Sequence, residues 1–421
     1  MTKSGGVAVP DLGGVRRRTA LIFIVATLVI DMLGIGLVWP ILPLLIEELT
    51  GSGVGDAALI YGVLLSVYAV MQFALGPLIG TISDRFGRRP VLLASLFALG
   101  VDYVILALAP SLAWLVAGRV LAGILGETIS TANAYVADIT PREGRAAAFG
   151  LIGAAFGVGF TLGPLLGGVL GEIDLRLPFW FAAGLSFLNV AFGWFALPES
   201  LPRDRRRPIA LERANPFGAL LYMRRYASLI TLIAALFLSG IAQQGLQGIW
   251  VLWTNVQLGY GVAEAGYSLA WVGVATVFVQ GYLVRVVVPR FGERLVILVG
   301  YALSSAAFAA LPFVTSSAVL YLAILVHICG WGTAGPSLQA AMSQNVPDHE
   351  QGLLQGTLSS VNTLTMILGP LLATGIFART TGTDPIVAMP GAFYLVGAAL
   401  FVATVALLIA EHRRLAVAPA E

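Results

Sequence analysis

Four ionisable residues interrupt long apolar runs in this chain: Asp31, Asp102, Arg119 and Glu127. A charge in a lipid-like interior is costly, and it normally faces a partner, a cavity or an ion pathway. Asp31 stands just before Gly34-Ile35-Gly36, with no opposite charge close in sequence. An isolated carboxylate in a low-dielectric site favours its neutral form, which suits a group that takes up and releases a proton near neutral pH. The plainer reading is a carboxylate satisfied by nearby backbone or hydroxyl groups. Asp102 and Arg119 lie eight and nine residues on either side of Pro110. On two helices joined by a tight turn there, both sit ~13 Å from the turn, at matching depth. They are expected to pair, either as a static ion pair or as one that a proton or a bound molecule disrupts. Glu127 lies further along the Arg119 helix and is read as a second protonation or binding site, or as a structural partner.

Other chemistries find little support. One cysteine, Cys329, excludes an internal disulfide and a cysteine-based zinc site. The histidines His327, His349 and His412 are too scattered for a metal cluster. There is no nucleophile–base pair, no metal-ligand spacing and no GxxxxGK[ST] loop for a nucleotide. No cofactor, metal, nucleotide or nucleic acid is therefore expected, and no enzymatic activity. A receptor would need a sizeable extramembrane domain.

The elements that must position these charges are membrane helices. Of the 421 residues, 58% are hydrophobic and 11% charged, against about 25% charged in a soluble domain. Apolar stretches of about 20 residues recur along the whole chain. Twelve spans are expected near 19–45, 58–80, 90–109, 112–137, 146–170, 178–197, 227–256, 265–288, 294–314, 318–343, 352–378 and 389–411. The first follows Arg16-Arg17-Arg18 and is read as a retained helix rather than a cleaved signal peptide. If both termini are cytoplasmic, nearly all Lys and Arg fall on inside segments, and only Arg176 and Arg379 fall outside. The expected location is a cell membrane with both ends inside.

The organisation is six helices plus six: 1–18 as an N-terminal segment, 19–197 as one bundle, 198–226 as a polar linker, 227–411 as a second bundle and 412–421 as a tail. "DRFGRRPVLL" at 84–93 echoes "PRFGERLVIL" at 289–298, and "LGPLLGG" at 162–168 echoes "LGPLLAT" at 368–374. Both echoes share an offset of about 205 residues. Two six-helix halves in parallel repeat describe an all-α membrane protein of the major facilitator architecture.

Three motifs agree. Gly80, Asp84, Arg85, Gly87, Arg88 and Arg89 resemble the superfamily signature G-x-x-x-D-R-x-G-R-R, expected in the loop between helices 2 and 3. Asp84 is expected to face the N-terminus of helix 11 and hold the inner end closed; plain anchoring by arginines is the alternative. Asp138 and Arg145 bracket a turn on the same face. In helix 5, Gly157, Gly159, Gly163, Pro164, Gly167 and Gly168 resemble the motif that marks antiporters, or else serve only close helix packing.

The segments 31–43, 61–93, 118–126, 250–254 and 351–372 together resemble the tetracycline/proton antiporter class of drug exporters. That resemblance implies functional roles for Asp31, Asp84, Asp102 and Arg119, and a place for Gln72 in the drug pathway. It departs in the second half, where Thr276 and Leu303 stand at the positions of a family histidine and aspartate. Coupling is then expected to rest on the first half, with Glu127 as a candidate compensating acid. Polar and aromatic cavity lining is expected from Gln72, Asn133, Gln243, Gln244, Gln247, Trp250, Trp253 and Gln339. The reading is a monomeric, proton-coupled exporter of amphiphilic compounds in a bacterial inner membrane. The alternative is a proton-coupled symporter or a uniporter for a metabolite such as a sugar.

Overall fold

The computed structural model describes residues 14–126, 128–141, 145–206, 208, 227–347, 350–382, 385 and 387–417. The described residues are helical or lie in short connections, with no strand among them. Among the described residues, twelve helices are long and apolar enough to cross a membrane. Spans 1 to 6 are Thr19–Val38, Val54–Phe86, Arg88–Leu108, Leu112–Ile139, Gly150–Ile173 and Leu177–Ala196. Spans 7 to 12 are Leu229–Leu258, Val262–Phe291, Glu293–Phe313, Ser317–Gln344, Gln351–Thr381 and Ala392–His412. The number agrees with the sequence reading, and helices satisfy their own backbone groups, as lipid requires. The rim is apolar: Leu188, Phe195, Val277 and Leu322 all point outward.

Two boundaries differ from expectation for local reasons. The first helix stops at Val38 rather than running to residue 45, because Pro40 and Pro43 lack the N–H that would continue it. A separate short helix, Leu42–Thr50, follows and ends at Gly51 with φ +60°. Glu47 on that helix is half-buried, and burial raises its affinity for a proton. Span 2 runs to Phe86, so Gly80, Asp84 and Arg85 are helical rather than in a loop. The connection to span 3 is a single residue, Gly87, with φ +110°, a conformation that favours glycine.

Spans 1 to 6 pack chiefly on one another, as do spans 7 to 12, and two close pairs cross between the sets: span 2 with span 11 and span 5 with span 8. The glycines of span 5 make two of these contacts. A Cβ on Gly163 would lie 2.7 Å from the Leu33 carbonyl oxygen, and one on Gly159 would lie 2.5 Å from the Met32 Cβ, so this face lies directly on span 1. A Cβ on Gly168 would meet Ala263 Cα at 3.1 Å, and the Pro164 carbonyl lies against Gly266, so the adjoining face lies on span 8. Small residues let the backbones approach this closely.

The crossing contacts run from one end to mid-span, where Ser66 Oγ donates to the Ile367 carbonyl at 2.8 Å and a Cβ on Gly157 would lie 3.2 Å from Val277. Gly55 abuts Ala378, Gly62 abuts Thr374, Gly171 abuts Val262 and Gly273 abuts Thr161. Toward the other end, a Cβ built on Gly80 of span 2, Gly153 of span 5, Gly281 of span 8 or Gly352 of span 11 would meet nothing within 4 Å. The two sets of spans therefore meet at the end that carries residues 54 and 262. They part at the end that carries the Gly87 turn.

Candidate functional site

Between the two sets lies a cavity of about 740 Å³. One stripe of span 2 faces it: Tyr61, Leu65, Tyr68, Gln72, Gly76 and Gly80, spaced three or four residues apart. Span 11 supplies a second stripe, Ser359, Asn362, Thr363, Met366 and Pro370. Trp39, Phe73, Tyr103 and Phe156 add rings, and Gln244 and Gln247 of span 7 add amides. The wall from spans 1 to 5 is thus apolar and rich in aromatic rings, and the wall from spans 7 and 11 is uncharged and largely polar.

Among the described residues, the charges on this wall are Asp102 and Arg119, and they pair as the turn geometry allows. The Asp102 side chain is fully buried. Arg119 also stands over the Tyr68 ring, 5.9 Å from its centroid, a cation–π contact. Asp102 Oδ1 and Arg119 Nε have no hydrogen-bond partner among the described residues. An incompletely satisfied buried pair is costly and can be reorganised by a molecule that supplies the missing bonds.

Asp31 is 4% exposed and is not among the lining residues. It sits behind the wall on span 1, one turn before Gly34. Glu127 lies outside the described residues, as does the Arg145 side chain.

The Gly87 turn carries its own network. Arg88 bridges Asp84 at 2.7 Å and Asp138 at 3.2 Å, and donates to Ser83 Oγ at 3.1 Å. The Arg88 backbone N–H donates to Glu199 Oε1 at 2.9 Å, and Ser200 Oγ donates to Asp138 at 3.2 Å. Arg89 donates to the Trp194 carbonyl, while Arg85 stands over the neighbouring Phe86 ring. Asp84 therefore bonds within its own half, not to the N-terminus of span 11 as the sequence suggests. The halves are apart at this end, so that partner is out of reach.

The expected lining residues divide. Gln72, Gln244 and Gln247 line the cavity. Gln243, Trp250 and again Gln247 line a smaller chamber of about 40 Å³ beside it, with Trp39 and Gln247 forming the shared wall. Trp253 is buried against Tyr394, ring centroids 4.9 Å apart, and lines neither space. Gln339 is exposed and Asn133 half-buried, and neither lines a cavity. Thr276 bonds its own helix at Val272, and Leu303 is 40% exposed on the outer surface, so neither is a cavity position. The tyrosines and the span 11 stripe are additions; their helical spacing is present in the sequence, but which face turns inward is not. His327 is also new: it is buried in the second half, with Nε2 2.8 Å from Gln243 Oε1.

These features define a multi-pass membrane transporter. The Major Facilitator Superfamily model matches residues 24–370 and 281–421, and the chain belongs to that superfamily. Its relatives include "Tetracycline resistance protein, class C" of Escherichia coli, 40% identical over 386 residues, which span 92% of this chain and 95% of that protein. The class G protein of Vibrio anguillarum is 37% identical over 382 residues, 90% of this chain and 94% of its own. Among solved structures, the human organic anion transporter MFSD10 (TETRAN) superposes with a TM-score of 0.71 at 26% identity, covering 93% of this chain and 99% of that one. The nucleoside transporter NupG (D323A mutant) reaches a TM-score of 0.76 at 13% identity over 92% and 99% of the two chains, a likeness of fold alone.

Proposed function

We propose that this protein is a proton-coupled antiporter that exports amphiphilic, drug-like compounds across the bacterial inner membrane by alternating access. The observation that carries this reading is the 740 Å³ cavity: set with aromatic rings, edged by amides and hydroxyls, and charged, among the described residues, at Asp102 and Arg119 alone. Rings accept a planar apolar body and the polar edge orients it. The named relatives are tetracycline resistance proteins, and drug export is carried over from them. Both termini are placed in the cytoplasm, because Lys and Arg gather at the end with the Gly87 turn. With that orientation the parted end faces inward, ready to receive cargo from the cytoplasm. Asp31 is the proton carrier, buried and one turn from the helix contact at Gly34. Asp102 and Arg119 form the cargo-responsive pair, and the Arg88 network belongs to the inner gate.

The test uses proteoliposomes with an acid lumen, a trapped pH dye and a panel of planar amphiphiles that includes tetracycline. Substrate-triggered proton efflux that disappears in Asp31→Asn is expected. Efflux unchanged in that variant would remove Asp31 from the mechanism. Cargo entry that needs no proton gradient would point to a metabolite facilitator instead.

A further inference from the structure

The small chamber of about 40 Å³ shares Trp39 and Gln247 with the large cavity as a common wall. Span 7 frames both spaces. Gln244 turns to the cavity, Gln243 and Trp250 turn to the chamber, and Gln247 lines both. Trp39 comes from the first half: its Nε1 donates to the Gln247 carbonyl at 3.2 Å, and its ring meets Phe160 edge-on. Span 10 adds His327, which is 4% exposed and lines the chamber.

The polar atoms around the chamber are committed, with one exception. Trp250 Nε1 donates to Ser268 Oγ at 2.9 Å, and Trp39 Nε1 is taken by Gln247. His327 Nε2 lies 2.8 Å from Gln243 Oε1, a carbonyl oxygen that accepts. Nε2 therefore carries the hydrogen, and Nδ1 of the neutral ring keeps a lone pair. That Nδ1 is buried and has no hydrogen-bond partner among the described residues. The ring is not free to turn in search of one. Gln243 ties it at Nε2, and the Phe308 and Trp331 rings lie beside it, centroids 5.0 and 6.5 Å away. A buried acceptor held without a partner is costly, and it is completed by whatever molecule brings a donor to it.

We propose that the chamber is a subsite of the cargo cavity, in which His327 Nδ1 accepts a hydrogen bond from a small neutral donor substituent, a primary carboxamide or a hydroxyl, on a planar cargo. The inference rests on the cavity being the cargo site, and adds which substituent the cargo carries. The chamber has room for roughly three non-hydrogen atoms, so the ring body stays in the large cavity and only the substituent enters. The way in is short: Gln247 is unbranched, and a change of its rotamer joins the two spaces. Leu246, Leu269, Val272 and Ile324 make the rest of the lining apolar. A charged substituent would be stripped of water there with no opposite charge to meet it. A substituent that only accepts would set its lone pair against that of Nδ1, and a site built for a donor rejects the analogue that lacks one.

Two matched probes test this on the purified full-length protein: β-naphthamide and methyl β-naphthyl ketone. They share the ring and the carbonyl, and differ in an amide N–H₂ against a methyl. Dissociation constants are measured calorimetrically in detergent for the parent and for His327→Phe, which keeps a ring and removes the acceptor. Comparing the amide-to-ketone affinity ratio between the two proteins cancels the different hydration of the probes. That ratio is expected to fall by about tenfold in His327→Phe, the worth of one hydrogen bond. An unchanged ratio overturns the subsite and leaves the cavity as cargo site. A second measurement leaves the site unmutated: with His349→Asn and His412→Asn in place, His327 alone carries isotope-labelled imidazole nitrogens. Its Nδ1 resonance should move on adding the amide and stay on adding the ketone; the same response to both overturns the subsite. Asn362→Trp, which fills part of the large cavity from span 11, should weaken both probes alike. If it weakens neither, or if the parent binds neither probe, the cavity is not the site for planar amphiphiles, and the functional reading falls together with the subsite.

Discussion

Span 2 meets span 3 at Gly87, and span 8 meets span 9 at Gly292; each turn is one glycine, with φ +110° and +78°. The backbone solution is the same because the repeated "RFG" needs only a residue free of the Cβ penalty. The chemistry differs. Around Gly87, Arg88 gathers Asp84, Asp138 and Ser83, and Glu199 binds the backbone. Around Gly292, the side-chain bond is a neutral amide, Gln344, to Glu293 at 3.2 Å, and Pro289 stands where the first half has Asp84. The interiors repeat this contrast. Every ion pair among the described residues falls before residue 207. The second half buries a neutral pair, His327 with Gln243, packed between Phe308, Trp331 and Phe401. Duplication thus preserves backbone geometry, while the ion pairs of the described residues are concentrated in one half.

The largest effect that would test this division comes from the buried pairs. Arg119→Leu strands the Asp102 carboxylate without a partner, which costs about 3–5 kcal/mol. His327→Leu loses a neutral hydrogen bond and is expected to cost about 1–2 kcal/mol. Thermal unfolding in detergent should show the first clearly below the second, and transport should be abolished only by the first. Equal losses would mean that the two halves carry equivalent polar cores.

A smaller contrast lies at the turns. Arg88→Ala removes bonds to three partners and should cost about 1–2 kcal/mol, with slower transport. Glu293→Gln, at the matching turn, should change stability by less than about 0.5 kcal/mol. Gly292→Ala should cost about 1 kcal/mol from its positive φ, and Gly87→Ala should cost more, because a Cβ there would also run into the Glu199 carboxylate while Gly292 is open. A Gly292→Ala variant with no cost would break the backbone equivalence.

The smallest effect concerns the helix Leu42–Thr50, which only the first half inserts between its first two spans. Burial raises the proton affinity of Glu47, so the folded form is favoured at low pH and that contribution is lost as pH rises through the glutamate range. Glu47→Gln removes the loss. Its melting temperature relative to the parent should be higher at pH 7 than at pH 4, by an amount equivalent to less than about 1 kcal/mol because the group is half exposed.

Much of this was legible beforehand. Hydropathy located twelve spans, because a helix that must satisfy its backbone in lipid needs about 20 apolar residues. The pairing of Asp102 with Arg119 followed from counting residues either side of Pro110. The glycine run of span 5 marked a close contact, though not that one face serves span 1 and the next serves span 8. Lining residues were harder. Gln72 and Gln247 fell on the wall, whereas Trp253 and Gln339 did not, because polarity or aromaticity does not say which way a helix face turns. Asp84 was matched to span 11 from the closed arrangement of the halves, and the structure holds the open one.

The sequence by itself determined the solvent, the number of spans, the repeat and the few charges allowed inside, since each follows from local composition and spacing. Only the tertiary structure decided that Asp31 lies behind the cavity wall, that Tyr103 fills the space beside Gly34, that His327 is buried against Gln243, and that the halves meet at one end and part at the other. Those facts depend on how each helix is rotated and tilted against its neighbours. Packing of side chains from distant segments sets those angles, and no single stretch of sequence contains both surfaces of a contact.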